Sequence, residues 1–555
     1  MEFLVRSYDQ PNLNTPEKLS CVAHEDEHFL VVNKPAGIST HAPSPYAGDG
    51  IYEFLRRREA RWAKLAIIHR LDKETSGLIV FSKSTEANRS LTRQFSEHQV
   101  KKVYVLETDH AASFNAKEIE SALVRAGERY LARPPHAGPE IAITRFKFIE
   151  ETPRGTFLWK AEPLTGKTHQ IRAQAAFIGI PICGDVLYGG TPGPRVCLHA
   201  AEITFEGPEG HSNRFRIEAN FAADPREYLR CAIIDPALTN AYRLIHGATD
   251  GWPGWYVDRL GDYLLSQSES PLAPEQESWL RSHAESMGCG AAYHKILARN
   301  IAPSTRDQVS PRLVFGQAAP EEFAVIENGI RYLLSFSEGY SAGLFLDQRE
   351  NRRRWLAGQC EVATTIFSAG SASPPEVLNA FAYTCGFSVC AAKAGARVTS
   401  LDLSRKYLDW GKRNFLENGI DPAKHDFIFG DVLDWFKHLA KKGRTFDAII
   451  LDPPTFSRSK ESGAFRVEKD FPRLLTSALQ ILKSPGVIFA SSNAAQWRAE
   501  DFAGMLKAQV IASGRSLRSF HYAAQPLDFP IHPREPAHLK TAWLLINKIG
   551  VHQQG

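Results

Sequence analysis

The chain has no run of about 18 uncharged apolar residues, so no membrane-spanning helix is expected. Its start, Met-Glu-Phe-Leu-Val-Arg-Ser-Tyr-Asp-Gln, has no basic stretch leading into an apolar one, which argues against a secretory signal. Cysteine is sparse, eight in 555 residues, with no Cys-x-x-Cys pair. That argues against a zinc ribbon or finger, and no metal is expected. Thiols at this density read as free cysteines of a reducing cytosol. Repeats and low-complexity tracts are missing too. Hydrophobic residues are 43% and charged residues 23%, an ordinary folded composition that excludes a largely disordered chain. The net charge of +4 is compatible with nucleic acid without demanding it.

A chain of 555 residues outgrows one hydrophobic core. Seams at Ala222–Asp235 and Ala318–Glu322 predict three domains, 1–225, 226–320 and 321–555. The first has short β-rich runs, among them Phe29–Asn33, Gly77–Phe81 and Val103–Glu107, and predicts a mixed α+β sheet. The last alternates strands at Val377–Phe381, Arg397–Leu401, Asp426–Phe429, Asp447–Leu451 and Val487–Ala490 with helices at Gly386–Lys393 and Ser404–Asn418. That alternation predicts an α/β, doubly wound parallel sheet. A flexible loop is expected at Ser368–Pro375.

Chemistry concentrates first in His69-Arg-Leu-Asp-Lys-Glu-Thr-Ser-Gly-Leu-Ile-Val-Phe81, a polar cluster running into an apolar strand. Asp72 beside Arg70 and Lys73 is expected to stay ionised, fit for a nucleophile or base; a salt-bridged turn is the bland reading. Leu164-Thr-Gly-Lys-Thr-His-Gln-Ile-Arg172 ends in an Arg able to fork onto a carboxylate. Gly179-Ile-Pro-Ile-Cys-Gly-Asp-Val-Leu-Tyr-Gly189 follows.

These three stretches, with Asn33-Lys-Pro-Ala-Gly37 and Lys102-Val-Tyr104, resemble the RluA-type pseudouridine synthases over about residues 20–210. The resemblance implies that Asp72 is the catalytic aspartate acting on the ribose of a target uridine, after which the uracil rotates and reattaches through carbon. It implies that Tyr104 stacks on the uracil, that Arg172 orients Asp72, and that Arg70 fills the gap left by the flipped nucleotide. His169 and Gln170 are expected at the substrate, with His69 and His169 positioning rather than acting as bases. No cofactor is implied. The small RNA-binding domain that precedes Asn-Lys-Pro in many members is expected to be absent. Arg56-Arg-Arg-Glu-Ala-Arg61 with Trp62 and Lys64 is then a candidate RNA patch, or a solvated helix face.

The last domain offers Leu378-Asn-Ala-Phe-Ala-Tyr-Thr-Cys-Gly-Phe-Ser-Val389 after a strand, with Asp402 at the next strand end. An acidic residue there can grip a ribose diol. The turn has Gly386 but no Gly-x-Gly-x-x-Gly, which argues against a dinucleotide and for S-adenosylmethionine. Phe381, Tyr383 and Gly386 would line it. Asp431 would meet the adenine, or would cap a helix. Asp452-Pro-Pro-Thr-Phe-Ser457 ends the fourth strand. Asp452 is expected at cofactor and catalysis, with Pro453, Pro454 and Phe456 presented to a flipped base.

With Gly343-Leu-Phe-Leu-Asp-Gln-Arg-Glu-Asn-Arg352 and Arg243-Leu-Ile-His-Gly-x-x-Asp-Gly-x-Pro-Gly-x-x-Val-Asp-Arg259, these elements resemble class I ribosomal RNA methyltransferases of the RlmI and RlmK kind over about 241–548. The resemblance implies a small β-rich domain at 226–320 shaping an RNA cleft. Arg349, opening a basic helix, is a candidate RNA contact, or part of an exposed helix face. Methylation at the 5-carbon of cytosine needs a cysteine nucleophile. Thr455-Phe-Ser457 and Ala490-Ser-Ser-Asn493 hold none, which favours the 7-nitrogen of guanine, and Cys385 and Cys390 read as packing residues. The expectation is a bifunctional cytoplasmic enzyme acting on ribosomal RNA, of the 23S kind. The alternatives are a methyltransferase whose synthase domain only binds RNA, and a non-catalytic assembly factor. Target nucleotides and oligomeric state are left open.

Overall fold

A computed structural model describes residues 19–48, 50–297, 310–337, 341–361, 364–367, 373–459, 463–531 and 536–548. The Ser368–Pro375 loop lies largely outside them. The chain forms two compact units, one of Glu17–Pro43 with Asp49–Asp235, the other containing Ser44–Gly48 and Pro236–Gly555. Among the described residues no helix is long and apolar enough to cross a membrane.

The first unit is built on one eleven-stranded mixed sheet. Phe29–Lys34 and Ser76–Ser82 are buried along their whole length, as expected of strands covered on both faces. Phe157–Pro163, nearer the other edge, alternates buried and half-buried positions. Leu198–Glu206 lies between Ser76–Ser82, to which it is parallel, and Lys101–Thr108, to which it is antiparallel. This arrangement puts the segment before Ser76 and the residue Tyr104 on neighbouring parts of one sheet. Helix Gln170–Phe177 packs over the strands beyond.

The second unit begins with a five-stranded sheet in the order Ala241–His246, Trp255–Leu260, Tyr263–Ser268, Ala291–Ile296, Arg312–Gly316. Helix Pro274–Met287 makes the crossover between its parallel pair and buries Leu280 and Ala284 against Trp255 and Leu264. Ala241, Leu260 and Tyr293 of this sheet share a core with Tyr332, Trp355 and Trp543 further along. The second sheet has seven strands, ordered Asp426–Phe429, Arg397–Asp402, Glu376–Ala380, Phe446–Leu451, Leu482–Ser492, Lys540–Lys548, Arg515–Ala523. The first five are parallel and the last two antiparallel. The chain winds outward from Glu376–Ala380 and then returns to its other side at Phe446–Leu451. A crevice therefore opens at the carboxyl ends of these strands, where doubly wound sheets bind ligands.

Candidate active sites

In the first unit a cavity of about 870 Å³ is lined by Arg70, Asp72, Tyr104, His169, Gln170 and Arg172, among others. Three remote segments are thus brought to one place. The turn that carries Asp72 is pinned from below. Thr40 Oγ1 donates to the Leu71 carbonyl at 2.9 Å, and the Gly37 amide donates to the Lys73 carbonyl at 2.8 Å. Lys34 is fully buried and its Nζ donates to the carbonyls of Pro35, Ile38 and Lys73 at 2.9, 2.8 and 3.3 Å. Burial pulls its amine down to about 7, against the attraction of Asp72 and Glu74. The Asn-Lys-Pro-Ala-Gly stretch is therefore the cradle of the Asp72 turn.

Burial pushes the Asp72 carboxyl up, and Glu74 adds to this, while His169, Arg172 and Lys34 pull it down. The groups facing Asp72 are Arg172 Nη1 at 3.7 Å and the imidazole Nε2 of His169 at 4.0 Å. Arg70 is exposed on the cavity rim, so the sequence neighbours Arg70 and Lys73 are not the pair that faces the carboxylate. Arg172 does fork onto a carboxylate, but onto that of Asp185. Nε and Nη2 donate to its two oxygens at 2.6 and 2.8 Å, and the third nitrogen reaches Glu74 at 3.1 Å. Asp185 lies in the Gly-x-Pro-Ile-x-Gly-Asp stretch, which was the signal for it. Burial pushes the Tyr104 phenol up, with Asp72 adding to the effect, so it stays protonated.

His169 opens helix Gln170–Phe177 from a left-handed conformation, φ 54°. Its Nδ1 meets the Tyr188 hydroxyl at 2.8 Å, which leaves Nε2 toward Asp72. Gln170 is not offered to a substrate. It is buried, accepts from Thr165 Oγ1 and the Lys167 amide, and donates to the Ile143 carbonyl and Thr144 Oγ1. Its amide locks the loop, and the expected substrate contact is corrected accordingly. His69 accepts from the Val80 amide at 3.0 Å and stacks on Phe95, and burial brings it down to about 3. It is a neutral positioning residue.

In the second unit the strand-end residues gather at the crevice. Phe381, Tyr383 and Cys385 all have positive φ, at 61, 49 and 62°. Such a density of left-handed non-glycine residues marks a backbone held for function. Asp402 accepts from the Tyr383 amide at 2.9 Å and the Ser404 amide at 2.8 Å, and burial raises its carboxyl. Gly386 starts helix Gly386–Lys393, and a Cβ there would meet Arg352 Cδ and Leu344 Cδ1 at 3.4 Å. Asp431 caps helix Val432–Lys441 by accepting from the Leu433 and Asp434 amides, so the cap reading applies to it. Its Oδ2 has no hydrogen bond among the described residues.

Asp452 is held by residues that sequence reasoning missed. Gln348 Nε2 lies 3.3 Å from both its oxygens and 2.8 Å from Ser491 Oγ. Burial, with Asp347 nearby, raises its carboxyl to about 6, against the Ser491 and Gln348 contacts. Gln348 and Ser491 both sat inside quoted stretches, but nothing there pointed to a contact with Asp452. Pro453 is buried and Pro454 exposed. Phe456, 56% exposed, opens the short strand Phe456–Ser459, which pairs with Gly463–Arg466. The carboxylate at each strand end and the strained turn between them suit a cofactor with a ribose and a base but no pyrophosphate.

The expected RNA contact of Arg349 is corrected by burial. Arg349 is 1% exposed and forks onto Asp528, also buried, at 2.7 and 2.8 Å. Arg352 forks likewise onto Glu327. In the first unit Trp62 is fully buried and donates to Glu25, and Arg61 pairs with Glu25 and Glu59. Arg349, Arg352 and Trp62 are spent on holding the fold, whereas Arg61 is exposed.

A doubly wound sheet with carboxylates at successive strand ends defines a class of enzymes that bind a nucleoside cofactor and transfer a group from it. The chain belongs to the S-adenosylmethionine-dependent methyltransferases, whose family model matches residues 242–540, and carries ahead of it an RNA pseudouridylate synthase domain, matched over 28–177. It is an enzyme of both kinds, an isomerase fused to a transferase. Ribosomal RNA large subunit methyltransferase I of Klebsiella pneumoniae is 30% identical over 298 residues, 53% of this chain and 70% of that protein. A ribosomal RNA large subunit methyltransferase of Deinococcus radiodurans is 31% identical over 330 residues, 57% of this chain and 76% of that protein. The solved human RNA Pseudouridylate Synthase Domain Containing 4 is 21% identical with a TM-score of 0.31, covering 36% of this chain and 89% of that one.

Proposed function

We propose that this enzyme modifies 23S ribosomal RNA twice, isomerising one uridine to pseudouridine and methylating one guanine at its 7-nitrogen. The convergence of Asp72, Tyr104, His169 and Arg172 on one cavity carries the first half of the reading. Asp72 acts on the ribose of a flipped uridine while Arg172, anchored by Asp185, and His169 aim it; burial raises its carboxyl, and the charge of Arg172 opposes that rise. The bond from the ribose carbon to N1 breaks, a bond to C5 forms, and the C5 proton leaves as N1 gains one. Tyr104, as a neutral phenol, packs on the ring. Arg70 on the rim is placed to occupy the vacated stack.

For the second half, Asp402 would hold the ribose of S-adenosylmethionine, Asp431 would meet its adenine, and the Phe381–Gly386 turn would line the cofactor. The cofactor supplies an electrophilic methyl group. Asp452 stands at the point of methyl transfer, and Pro453, Pro454 and Phe456 line the way by which the base reaches it. A thiolate for cytosine chemistry is not at hand. Cys385 and Cys390, on the cofactor side, are buried, with thiols pushed up to about 12, whereas a nucleophilic cysteine needs a lowered pKa and access. A ring nitrogen carries its own lone pair and needs no thiol. The names of the two methyltransferase relatives support the large-subunit RNA as substrate.

Nucleoside mass spectrometry with position mapping, comparing 23S RNA from a deletion strain and its parent, tests the reading. Loss of one pseudouridine and one 7-methylguanosine is the expected result. Loss of a 5-methylcytosine, or of the methyl mark alone, overturns the corresponding half.

A further inference from the structure

A second cavity, of about 430 Å³, lies within the second unit, and Tyr256, Phe529 and His538 of its lining belong to none of the sites above. That is room for one nucleobase with its sugar. Tyr256, Phe345 and Phe529 line it together with Arg243, Asp347 and His538. Arg243 is committed. Nε and Nη2 donate to the two oxygens of Asp258 at 2.5 and 3.2 Å, and its guanidinium lies over Phe529 at 4.6 Å and Tyr256 at 5.3 Å. Those groups form a braced aromatic wall.

Asp347 is different. Its Oδ2 meets His538 Nε2 at 3.0 Å, and its Oδ1 has no hydrogen bond among the described residues. The side chain is 16% exposed. Burial pushes its carboxyl up, but His538, Arg352 and Arg243 outweigh this and hold it below the usual range. The cavity thus presents an ionised carboxylate with an open oxygen beside aromatic walls. Oδ1 and the acceptor site left on Oδ2 together complement a flat ring with two adjacent N–H donors. Guanine has them, N1–H beside the 2-amino group; in cytosine and adenine the exocyclic amine sits beside an acceptor nitrogen, and uracil offers a single N–H between carbonyls.

The cavity also adjoins the methyl-transfer site. Gln348, next in sequence, holds Asp452, and the Phe345 ring lies 5.5 Å from that of Tyr383 in the cofactor turn. The segment from Phe345 to Gln348 is therefore a wall common to both. We propose that this cavity receives the target guanine, turned out of its RNA stack, and that Asp347 reads its N1–H and 2-amino group. The proposal rests on the guanine reading above.

The test uses the full chain, a tritiated methyl donor and an RNA fragment spanning the mapped position, made with guanosine or with inosine, which lacks the 2-amino group. The wild-type enzyme is expected to favour guanosine in kcat/KM by about 10–150-fold, the worth of one hydrogen bond to a charged group. In Asp347→Asn the ratio collapses or inverts, because an amide NH₂ then faces the 2-amino group. Calorimetric binding of S-adenosylhomocysteine stays unchanged, which shows that the variant is folded. A merely structural aspartate would slow both RNAs alike and leave the ratio intact, and that result overturns the proposal. So does a wild-type enzyme indifferent to inosine, or a variant that loses S-adenosylhomocysteine affinity, which would put Asp347 on the cofactor. A mark mapped to another base instead sinks the guanine reading itself, before any variant is made.

Discussion

Replacing Asp185 with Asn removes one charge from a pair in which Arg172 is 3% exposed and Asp185 1%. Breaking a buried ion pair from one side costs about 3–5 kcal/mol, because the remaining charge is left uncompensated. Asn keeps an acceptor, and Arg172 still has Glu74 at 3.1 Å and Asp72 at 3.7 Å. The loss therefore falls at the lower end, about 3 kcal/mol. For a unit of this size each kcal/mol moves the midpoint by roughly 2–4 °C, giving a drop of roughly 6–12 °C in the transition of the first unit. Catalysis suffers as well. Arg172, released from Asp185, turns toward Asp72, and a carboxylate misplaced by about 1 Å loses roughly 10²-fold in rate. Scanning calorimetry reads the first effect, and tritium release from RNA labelled at the 5-position of uridine reads the second. Methyl transfer by the same chain is the internal control and should not change. A midpoint shift below about 2 °C with pseudouridine formation intact would refute the anchoring argument.

Asp452 titrates at about 6, so methyl transfer falls as pH drops through 6. Ser491→Ala removes a contact that favours the charged form and moves that acid limb upward; a flat profile across this range contradicts the assignment. Because the folded-state pKa is raised above the ordinary 3.8, protonation of Asp452 adds stability on acidification through that window, so the lost activity is not unfolding driven by this group. Lys34 has the opposite sign: its amine is lowered from 10.5 to about 7, so the unfolded chain binds more protons between those values and stability rises with pH across them. Lys34→Met should flatten that rise in urea unfolding of the first unit, and a slope unchanged from wild type contradicts this. Arg349→Leu should cost about 3–5 kcal/mol by stranding Asp528, yet leave the slope of log affinity for RNA against log salt unaltered, since a buried arginine releases no counterions; a slope smaller by about one charge would restore Arg349 to the RNA surface.

The elements that were legible are those whose pattern is local. The strand Asp426–Phe429 and the helix Gly386–Lys393 fall where the alternation put them. Both depend on an apolar period and a turn signal within a dozen residues. The mixed sheet of the first unit was legible as a class but not as an order, since its one parallel pairing joins Ser76–Ser82 to Leu198–Glu206 across a long stretch of chain. Asp72 and Arg172 could be picked out because each lies in a stretch dense with polar residues or glycine, Tyr104 only through the family resemblance, and the fold brings all three to one cavity.

What misled was charge read along the helix rather than across space. Arg349 and Arg352 look like an exposed basic face, but their partners Asp528 and Glu327 are supplied by distant segments and close over them. Gln170 looks like a substrate-facing amide, yet the loop it follows and the strand beside it take all its hydrogen bonds. The two chemistries were legible in the sequence through its resemblance to two families, because the motifs that carry the resemblance are short stretches of local sequence. Only the tertiary structure decided which carboxylate Arg172 grips, which arginines are buried, and that Gln348 and Ser491 meet at Asp452. Those are pairings between segments far apart in the chain, and a local pattern holds no information about which distant group will arrive to desolvate or neutralise a charge.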